Sequence, residues 1–411
     1  METFTINRLG HQGDGIADGP LYAPLTLPGE VVTAQRDGSR LSDIRVQVSS
    51  AERVTAPCRH FKSCGGCQLQ HASDGFVAEW KTDIVQNALS SHGLDTDMRP
   101  ILTSPPRTRR RATLSARRTK KGAMVGFHAR GSDVIVEIPD CQLLHPALMM
   151  DLASIEALAV CGASRKAELS VTISKSDSGL DVSVQGGKEL DGPLRITLAA
   201  WVEANAIARL GWGGEVVAMR VPPVQTFGVA QVVPPPGAFL QATEQGETDL
   251  VATVRSAVAG ANQIADLFSG CGTFALPLAE DAEVHAVESD AGMLSALDQG
   301  WRSAQGLKKI THETRDLFRR PLYPDELARF QAVVLDPPRA GAQAQIEQLA
   351  RSDAQVIAYI SCNPISFARD AAALAEAGYS LNWVQVVDQF RWSTHVELVG
   401  AFHRVPPVQR R

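Results

Sequence analysis

Three side chains in the C-terminal half could together do covalent chemistry. Cys362 stands in Ile360-Ser-Cys-Asn-Pro364, at the end of an apolar run that reads as a strand. Glu397 closes Ser393-Thr-His-Val-Glu397, and Asp336 opens Asp336-Pro-Pro-Arg339 after the apolar run Ala332–Leu335. A thiolate adds to electron-poor carbon and leaves again readily. Free cysteine has a pKa near ~8.5, so such a site must favour the thiolate. A carboxylate within reach can take a proton in a later step, a contribution of typically ~10²–10⁴-fold. Covalent catalysis splits one hard step into easier ones. Taken singly, a cysteine after a strand is usually buried and inert, and a glutamate is usually solvated. Both bland readings weaken when all three residues map to one edge of a sheet, the edge at which open α/β sheets bind ligands.

Asp266-Leu-Phe-Ser-Gly-Cys-Gly-Thr-Phe274 lies between an apolar run and a helix-like stretch. Gly270 and Gly272 permit a tight turn and close approach of backbone to a ligand. A lone Gly-x-Gly is a weak signal and fits a purely structural turn. Here the next apolar run, Val284-His-Ala-Val287, ends in Glu288, an acid able to accept both hydroxyls of a ribose. There is no Gly-Lys-Ser/Thr loop, which argues against a P-loop nucleotidase. With Asp336 on a loop stiffened by two prolines, these features resemble class I S-adenosylmethionine-dependent methyltransferases. One such family binds an exocyclic amine with an Asn/Asp-Pro-Pro-aromatic loop, but Arg339 stands where the aromatic would be. Methyl transfer to nitrogen needs Asp336 and no cysteine. Uracil C5 is a poor nucleophile. Thiolate addition at C6 turns the ring into an enolate whose C5 can attack a sulfonium methyl group. A base must then take the C5 proton before the thiol is expelled. Cys362 and Glu397 suit those two roles.

A second group of thiols lies upstream. Cys58-x5-Cys64-x2-Cys67 with the distant Cys141 gives four ligands, a spacing that suits an iron–sulfur cluster or tetrahedral zinc equally. Gly65 and Gly66 let the backbone wrap close to sulfur. Cys161 reads as buried or incidental, and Cys271 as a small residue filling the glycine-rich loop.

These residues need elements to hold them. The 411 residues allow two or three domains. Residues 1–55 hold short alternations punctuated by Gly10, Gly13, Gly15, Gly19 and Gly29, which predict a small β-barrel. A helix is expected over 76–92. Residues 105–240 read mostly as strands (113–116, 123–128, 134–138, 169–174, 180–185). From about 248, apolar strands (263–268, 283–287, 332–335, 356–361) alternate with Ala-rich helices (275–280, 292–305, 342–351, 365–377). That alternation implies a mostly parallel, doubly wound α/β sheet. The domains expected are 1–55 (barrel), 56–240 (central, with helix 76–92 packing on the catalytic domain) and 241–411 (catalytic).

A composition of 44% hydrophobic and 21% charged residues excludes a disordered or collagenous chain. No apolar run reaches the ~18 residues of a membrane span, and Met1-Glu-Thr-Phe4 reads as no export signal. A cytoplasmic, reducing setting is therefore expected, where thiols serve metals or catalysis rather than disulfides. The net charge of −5 hides an asymmetry. Between Met98 and Ser132 stand ten basic residues and no acid, including Arg107, Arg109, Arg110, Arg111, Lys120 and Lys121. Such a block is either a solvated hairpin or the footprint of a polyanion. As RNA contacts, these side chains would grip phosphates and set orientation rather than sequence.

The motifs jointly resemble the bacterial RNA (uracil-5-)-methyltransferases, and within them the iron–sulfur subgroup that forms 5-methyluridine in 23S ribosomal RNA. The resemblance runs along nearly the whole chain: the barrel, 58–71, 109–111, Phe239-Leu-Gln241, 266–274, 336–339, 361–364 and 395–397. It implies Cys362 as nucleophile, Glu397 as base, and Gln241, Phe268, Gly270, Gly272, Thr273, Glu288, Asp316 and Asp336 at the pocket for S-adenosyl-L-methionine and the base. It also implies a [4Fe-4S] cluster on Cys58, Cys64, Cys67 and Cys141, a TRAM-like barrel, and RNA as partner, with no membrane and no obligate protein partner. Thr273 and Thr243 stand where the family often has Asn, and Gln389-Phe-Arg-Trp-Ser393 departs from its commoner Phe-Pro-x-Thr. The same chemistry on tRNA, an exocyclic-amine N-methyltransferase, and a non-catalytic RNA-binding factor are the competing readings.

Overall fold

The computed structural model describes residues 1–149 and 152–405. At the N terminus the glycine-punctuated strands Glu2–Leu9, Gly15–Ala17, Leu21–Ala23, Arg40–Val48 and Val31–Asp37 pair in that order into a closed barrel. Ile6, Leu21, Ala23, Val32 and Leu41 fill it. Gly15 is required by close approach, because a Cβ there would stand 2.1 Å from Thr26 Oγ1. Closure removes the exposed strand edges that would otherwise invite pairing with other chains.

The central region is a seven-stranded sheet ordered Glu215–Met219, Arg209–Trp212, Gly179–Gln185, Glu168–Ser176, Arg111–Arg118, Ala123–His128 and Ile135–Glu137. Its core includes Leu114, Val171, Ile173, Val182, Val184 and Leu210. Three described helices, Pro146–Met149, Leu152–Gly162 and Gly192–Ala204, interrupt a region that reads mostly as strands. Leu152–Gly162 is apolar almost throughout, so its pattern carries no helical period. Gly192–Ala204 mixes β-branched residues into a helix that Asp191 caps, its carboxylate accepting from Leu194 N at 2.8 Å.

The third sheet has eight strands: Ile310–Thr314, Glu283–Glu288, Gln263–Leu267, Ala332–Leu335, Val356–Ser361, Leu398–Arg404, Tyr379–Asp388 and Asp97–Thr103. Ala332–Leu335 is buried at every position, each large aliphatic side chain contributing ~1.5–3 kcal/mol. Strand order reverses between Gln263–Leu267 and Ala332–Leu335, which opens a crevice at their carboxyl ends. Leu398–Arg404 runs antiparallel to Val356–Ser361, with Ser361 paired to Leu398.

The span 56–240 is thus divided among the central sheet, the eight-stranded sheet and a two-stranded sheet of Gln225–Phe227 and Ala230–Val232. Its helix Asp74–Ser90 packs on Pro364–Glu376, and its strand Asp97–Thr103 pairs in parallel with Tyr379–Asp388 at the edge of the third sheet. Ser73 caps that helix, its hydroxyl accepting from Phe76 N at 3.1 Å. Its buried face presents Val77, Trp80, Val85 and Leu89, and also the charged Lys81.

Candidate active site

The crevice is a cavity of about 600 Å³. One wall is the 266–274 loop. Phe268 takes a left-handed φ of 63°, and its amide and that of Ser269 both donate to Val287 O, at 2.9 and 3.1 Å. Gly270, also left-handed at 55°, donates its N–H to Glu288 Oε2 at 3.1 Å. Glu288 accepts further from the amides of Ser289 and Asp290 on its other oxygen, so its carboxylate is held before any ligand arrives. Gly272 serves packing rather than the cavity, since a Cβ there would lie 2.9 Å from both Leu276 Cδ1 and Leu297 Cγ. Thr273 and Asp316 line the cavity. Asp316 is steadied by Phe318 N, which donates at 3.0 Å. Its neighbour Arg315 binds Glu326 through two N–H groups, at 2.6 and 2.9 Å.

The opposite wall carries the reactive groups. Because Ser361 pairs with Leu398, the next residues outward, Cys362 and Glu397, stand side by side at the carboxyl edge of the sheet. Both line the cavity, as does Asp336. The 336–339 and 362–366 loops are tied together, Asn363 Nδ2 and Ser366 Oγ both donating to Arg339 O, at 2.9 and 3.1 Å. Asp336 opens partly to the cavity and makes no side-chain hydrogen bond among the described residues, and desolvation raises its carboxyl well above the usual range. Glu397 is 4% exposed. Burial first, and then Asp336, raise its pKa, against one hydrogen bond from Gln389. The Cys362 thiol is pushed up to about 11 by burial, then by Glu397 and Asp336, with Arg339 opposing. These surroundings favour the thiol, against the expectation that the site favours the thiolate.

Gln241 also lines the cavity, on the side of Gln389. Gln389 was noticed in the sequence only as a departure from a pattern, yet it is the hub of this wall. Its Oε1 accepts from Ala242 N at 2.6 Å, and its Nε2 donates to Gln241 Oε1 at 2.6 Å and to Glu397 Oε2 at 3.2 Å. The adjoining Asp388 meets Lys81 Nζ at 2.6 Å, and Lys81 also donates to Phe390 O. No local signal marks the contacts of Gln389 with Ala242 and Gln241 or of Asp388 with Lys81, because each joins residues far apart in the chain.

The basic block divides by role. Arg109 lines the cavity, and its guanidinium lies 5.8 Å from the Phe390 ring. Arg110 is 4% exposed and bonds Glu247 Oε2 at 2.5 Å, which removes it from the expected phosphate contacts. Lys120 and Lys121 are exposed.

Cys58, Cys64, Cys67 and Cys141 line one narrow cavity with Phe61, Phe127 and Ile138. The donor set fits a thiolate-bound group, since four thiols from two distant segments share one buried space. Among the described residues, however, no three His, Cys, Asp or Glu side chains are placed to hold a metal ion. Burial pushes the Cys67 thiol up to about 12, and raises Cys64 and Cys141 as well. Arg130 lies beside the cage and donates to Cys67 O at 2.9 Å. The loop from this cage reaches the catalytic wall, where the amides of Gln68 and Leu69 both donate to Trp392 O, at 2.8 and 3.0 Å. Cys161 is half-buried and bonds Leu158 O, and Cys271 is buried at the edge of the 600 Å³ cavity.

Residues 237–404 match the family model described as tRNA (Uracil-5-)-methyltransferase. The chain is 43% identical over 400 residues to a protein of Brucella suis described as an uncharacterized RNA methyltransferase, covering 97% of this chain and 96% of the relative. It is 31% identical over 429 residues to a 23S rRNA (uracil(1939)-C(5))-methyltransferase of Shewanella, covering 98% and 95%. Among solved structures it superposes on the tRNA (uracil-54, C5)-methyltransferase of Pyrococcus abyssi, in complex with S-adenosyl-L-homocysteine. That superposition has a TM-score of 0.77 at 22% identity and covers 97% of this chain and 99% of the other. The likeness is one of fold.

Proposed function

The chain belongs to the RNA (uracil-5-)-methyltransferase family, a family of S-adenosylmethionine-dependent enzymes, and on that footing we propose that it forms 5-methyluridine in 23S ribosomal RNA through Cys362 and Glu397. The register of Ser361 against Leu398 carries this reading, because it sets nucleophile and base on adjacent strand ends beside Asp336. The ribosomal target is supported by the relative that is 31% identical along almost the whole chain. The family description, which names tRNA, favours transfer RNA as the second reading.

S-adenosylmethionine, held at Gln241, Phe268, Gly270, Thr273, Glu288 and Asp316 with Gly272 shaping the loop, supplies an electrophilic methyl group on a positive sulfonium. Cys362 Sγ releases its proton to solvent and bonds to uracil C6, and the electron pair of the C5–C6 double bond moves onto C5 and O4. C5 takes the methyl group as the methyl–sulfur bond breaks, its electron pair staying on sulfur, which leaves as a neutral thioether. Glu397 then removes the C5 proton, the double bond re-forms, and the Sγ–C6 bond breaks to return the thiolate. A proton kept on Asp336 makes it a donor for the ring oxygen that gains charge in the first step. The target base must leave its stack, at a cost of a few kcal/mol. Arg109 and Arg339 at the cavity rim supply positive charge for the nucleotide that enters.

We read Cys58, Cys64, Cys67 and Cys141 as ligands of a [4Fe-4S] cluster. The four thiols lining one cavity, and the resemblance of residues 58–71 to the iron–sulfur subgroup, support this reading. The cluster's role in this reading is to stiffen the loop that donates to Trp392 O and the surface that meets RNA. Anaerobically purified protein should contain iron and acid-labile sulfide, and no zinc. No described helix is long and apolar enough to cross a membrane, and the RNA substrate of this reading supports a cytoplasmic place of action.

The test of the reaction is incubation with cofactor and RNA carrying 5-fluorouridine. Fluorine cannot leave as a proton does, so a denaturation-resistant adduct should accumulate on Cys362. Methyl transfer that survives Cys362→Ala, or a product methylated away from C5, would refute the proposal.

A further inference from the structure

Two acids and one thiol share the cavity, and the chemistry needs the acids in opposite states. Glu397 must be a carboxylate to take the C5 proton. Asp336 must carry a proton to donate to a ring oxygen. Nothing in their types decides which does which, and two neighbouring carboxyls resist ionising together. Burial pushes Glu397 up to about 8 and the less buried Asp336 up to about 7, which favours the proton on Glu397, and what Glu397 accepts opposes this.

The orientation of the Gln389 amide is forced. Its Oε1 faces the backbone N–H of Ala242, which can only donate. Its Nε2 therefore faces the other way and donates to two oxygens, Gln241 Oε1 and Glu397 Oε2. Gln389 is 1% exposed, so no water competes at those contacts. Its backbone is pinned on both sides, since Asp388 is bound by buried Lys81 and accepts from Phe390 N at 3.0 Å. Asp336 receives no such donor among the described residues. A hydrogen bond given to an oxygen favours its ionised form.

We propose that Gln389 is the positioning residue that holds Glu397 toward its ionised form, against the burial that favours its proton, so that Glu397 can serve as the base. The same amide turns the Nε2 of Gln241 away from Gln389, so that Gln241 offers the cavity a donor and recognises an acceptor oxygen there. The other groups facing Glu397 are Asp336 from the neighbouring strand end, the Cys362 thiol, and the cations Arg109 and Arg339 and the imidazole of His395 around the cavity. Gln389 is uncharged, so its effect is separable from theirs by mutation.

The inference rests on the reaction proposed above for its consequence, and it has a readout that does not. Infrared titration of the free protein resolves protonated carboxyls, and the Glu397 band is identified by its loss in Glu397→Gln. Gln389→Met removes the donor at similar volume. The Glu397 midpoint should then move to higher pH by about one unit, a tenfold gain in proton affinity, while the Asp336 midpoint falls. Gln389→Asn, which withdraws the donor by one methylene, should shift both in the same directions, and it serves if the methionine variant does not fold. In turnover, the acid limb of the kcat profile should move up with the Glu397 midpoint, and a covalent protein–RNA adduct on ordinary uridine should persist because proton removal is slowed. An unshifted Glu397 midpoint in a folded variant overturns the inference. A uniform loss of kcat at every pH, with no adduct, reduces Gln389 to packing and also overturns it. If the midpoints shift as expected and the wild-type protein methylates no RNA, the proposed function fails and the role of Gln389 toward Glu397 stands.

Discussion

The ion pair between Lys81 and Asp388 is the most exacting test of how this site is held. Lys81 lies on the helix Asp74–Ser90 and Asp388 at the end of the strand Tyr379–Asp388, one residue before Gln389. Their side chains are 0% and 2% exposed and meet at 2.6 Å. Burial lowers the Lys81 pKa first, and Asp388 opposes that shift. At an effective dielectric constant of ~20 the gross attraction is about 6 kcal/mol, and most of it offsets the desolvation of both ions. Replacing Lys81 by methionine leaves Asp388 buried with Phe390 N as its remaining side-chain donor, and an uncompensated buried charge costs about 3–5 kcal/mol. Hydrogen exchange at the amides of Asp74–Ser90 and Tyr379–Asp388 measures that local loss. Lys81→Met should speed their exchange by two to three orders of magnitude, roughly the range to which 3–5 kcal/mol corresponds at 1.4 kcal/mol per tenfold. The pair Lys81→Met with Asp388→Asn should recover most of it, because no charge is stranded. A single substitution that costs under about 1 kcal/mol, or a double one that costs as much as the single, would refute the reasoning.

Three further outcomes follow from the structure. The Cys362 thiol, pushed up to about 11 by burial and then by Glu397 and Asp336, should be alkylated by iodoacetamide more slowly than free cysteine near neutral pH. Glu397→Gln removes one negative neighbour and should lower that pKa and speed the alkylation, and an unchanged rate would show that the two groups do not interact. Lys120 and Lys121, exposed on the central sheet's hairpin, should each lower the slope of log affinity against log salt by about 1 when replaced by alanine, if each meets a phosphate. Arg110→Ala should instead reduce stability, since Arg110 is buried against Glu247.

Much of the chain was legible because hydrophobic patterning is local. Ala123–His128, Ala332–Leu335 and Val356–Ser361 have the boundaries that their apolar runs predict. The helices Ala291–Ser303 and Pro364–Glu376 fall within two residues of their predicted limits. The glycines of 266–274 announced a tight turn, and Glu288 announced a carboxylate beside it. In each case one segment's own pattern suffices, as a strand buried on both faces needs a continuous apolar run whatever its neighbours are. The uniformly apolar helix Leu152–Gly162 was illegible for the same reason, since without a polar face it has no period.

What only the tertiary structure decided is pairing across distance. Asp97–Thr103 leaves the central region to become an edge strand of the catalytic sheet, and Leu398–Arg404 enters that sheet reversed. The reversal sets Glu397 at the end where Cys362 emerges; a parallel strand would have left it at the far edge. Lys81 reads as a surface residue of an amphipathic helix until a carboxylate distant in sequence covers it, and Gln389 reads as a broken motif until its amide finds Ala242, Gln241 and Glu397. Residue types and spacing named the chemistry, because reactivity belongs to individual side chains. Which acid is the base and what holds it depend on register and burial, and these exist only once distant segments share one core.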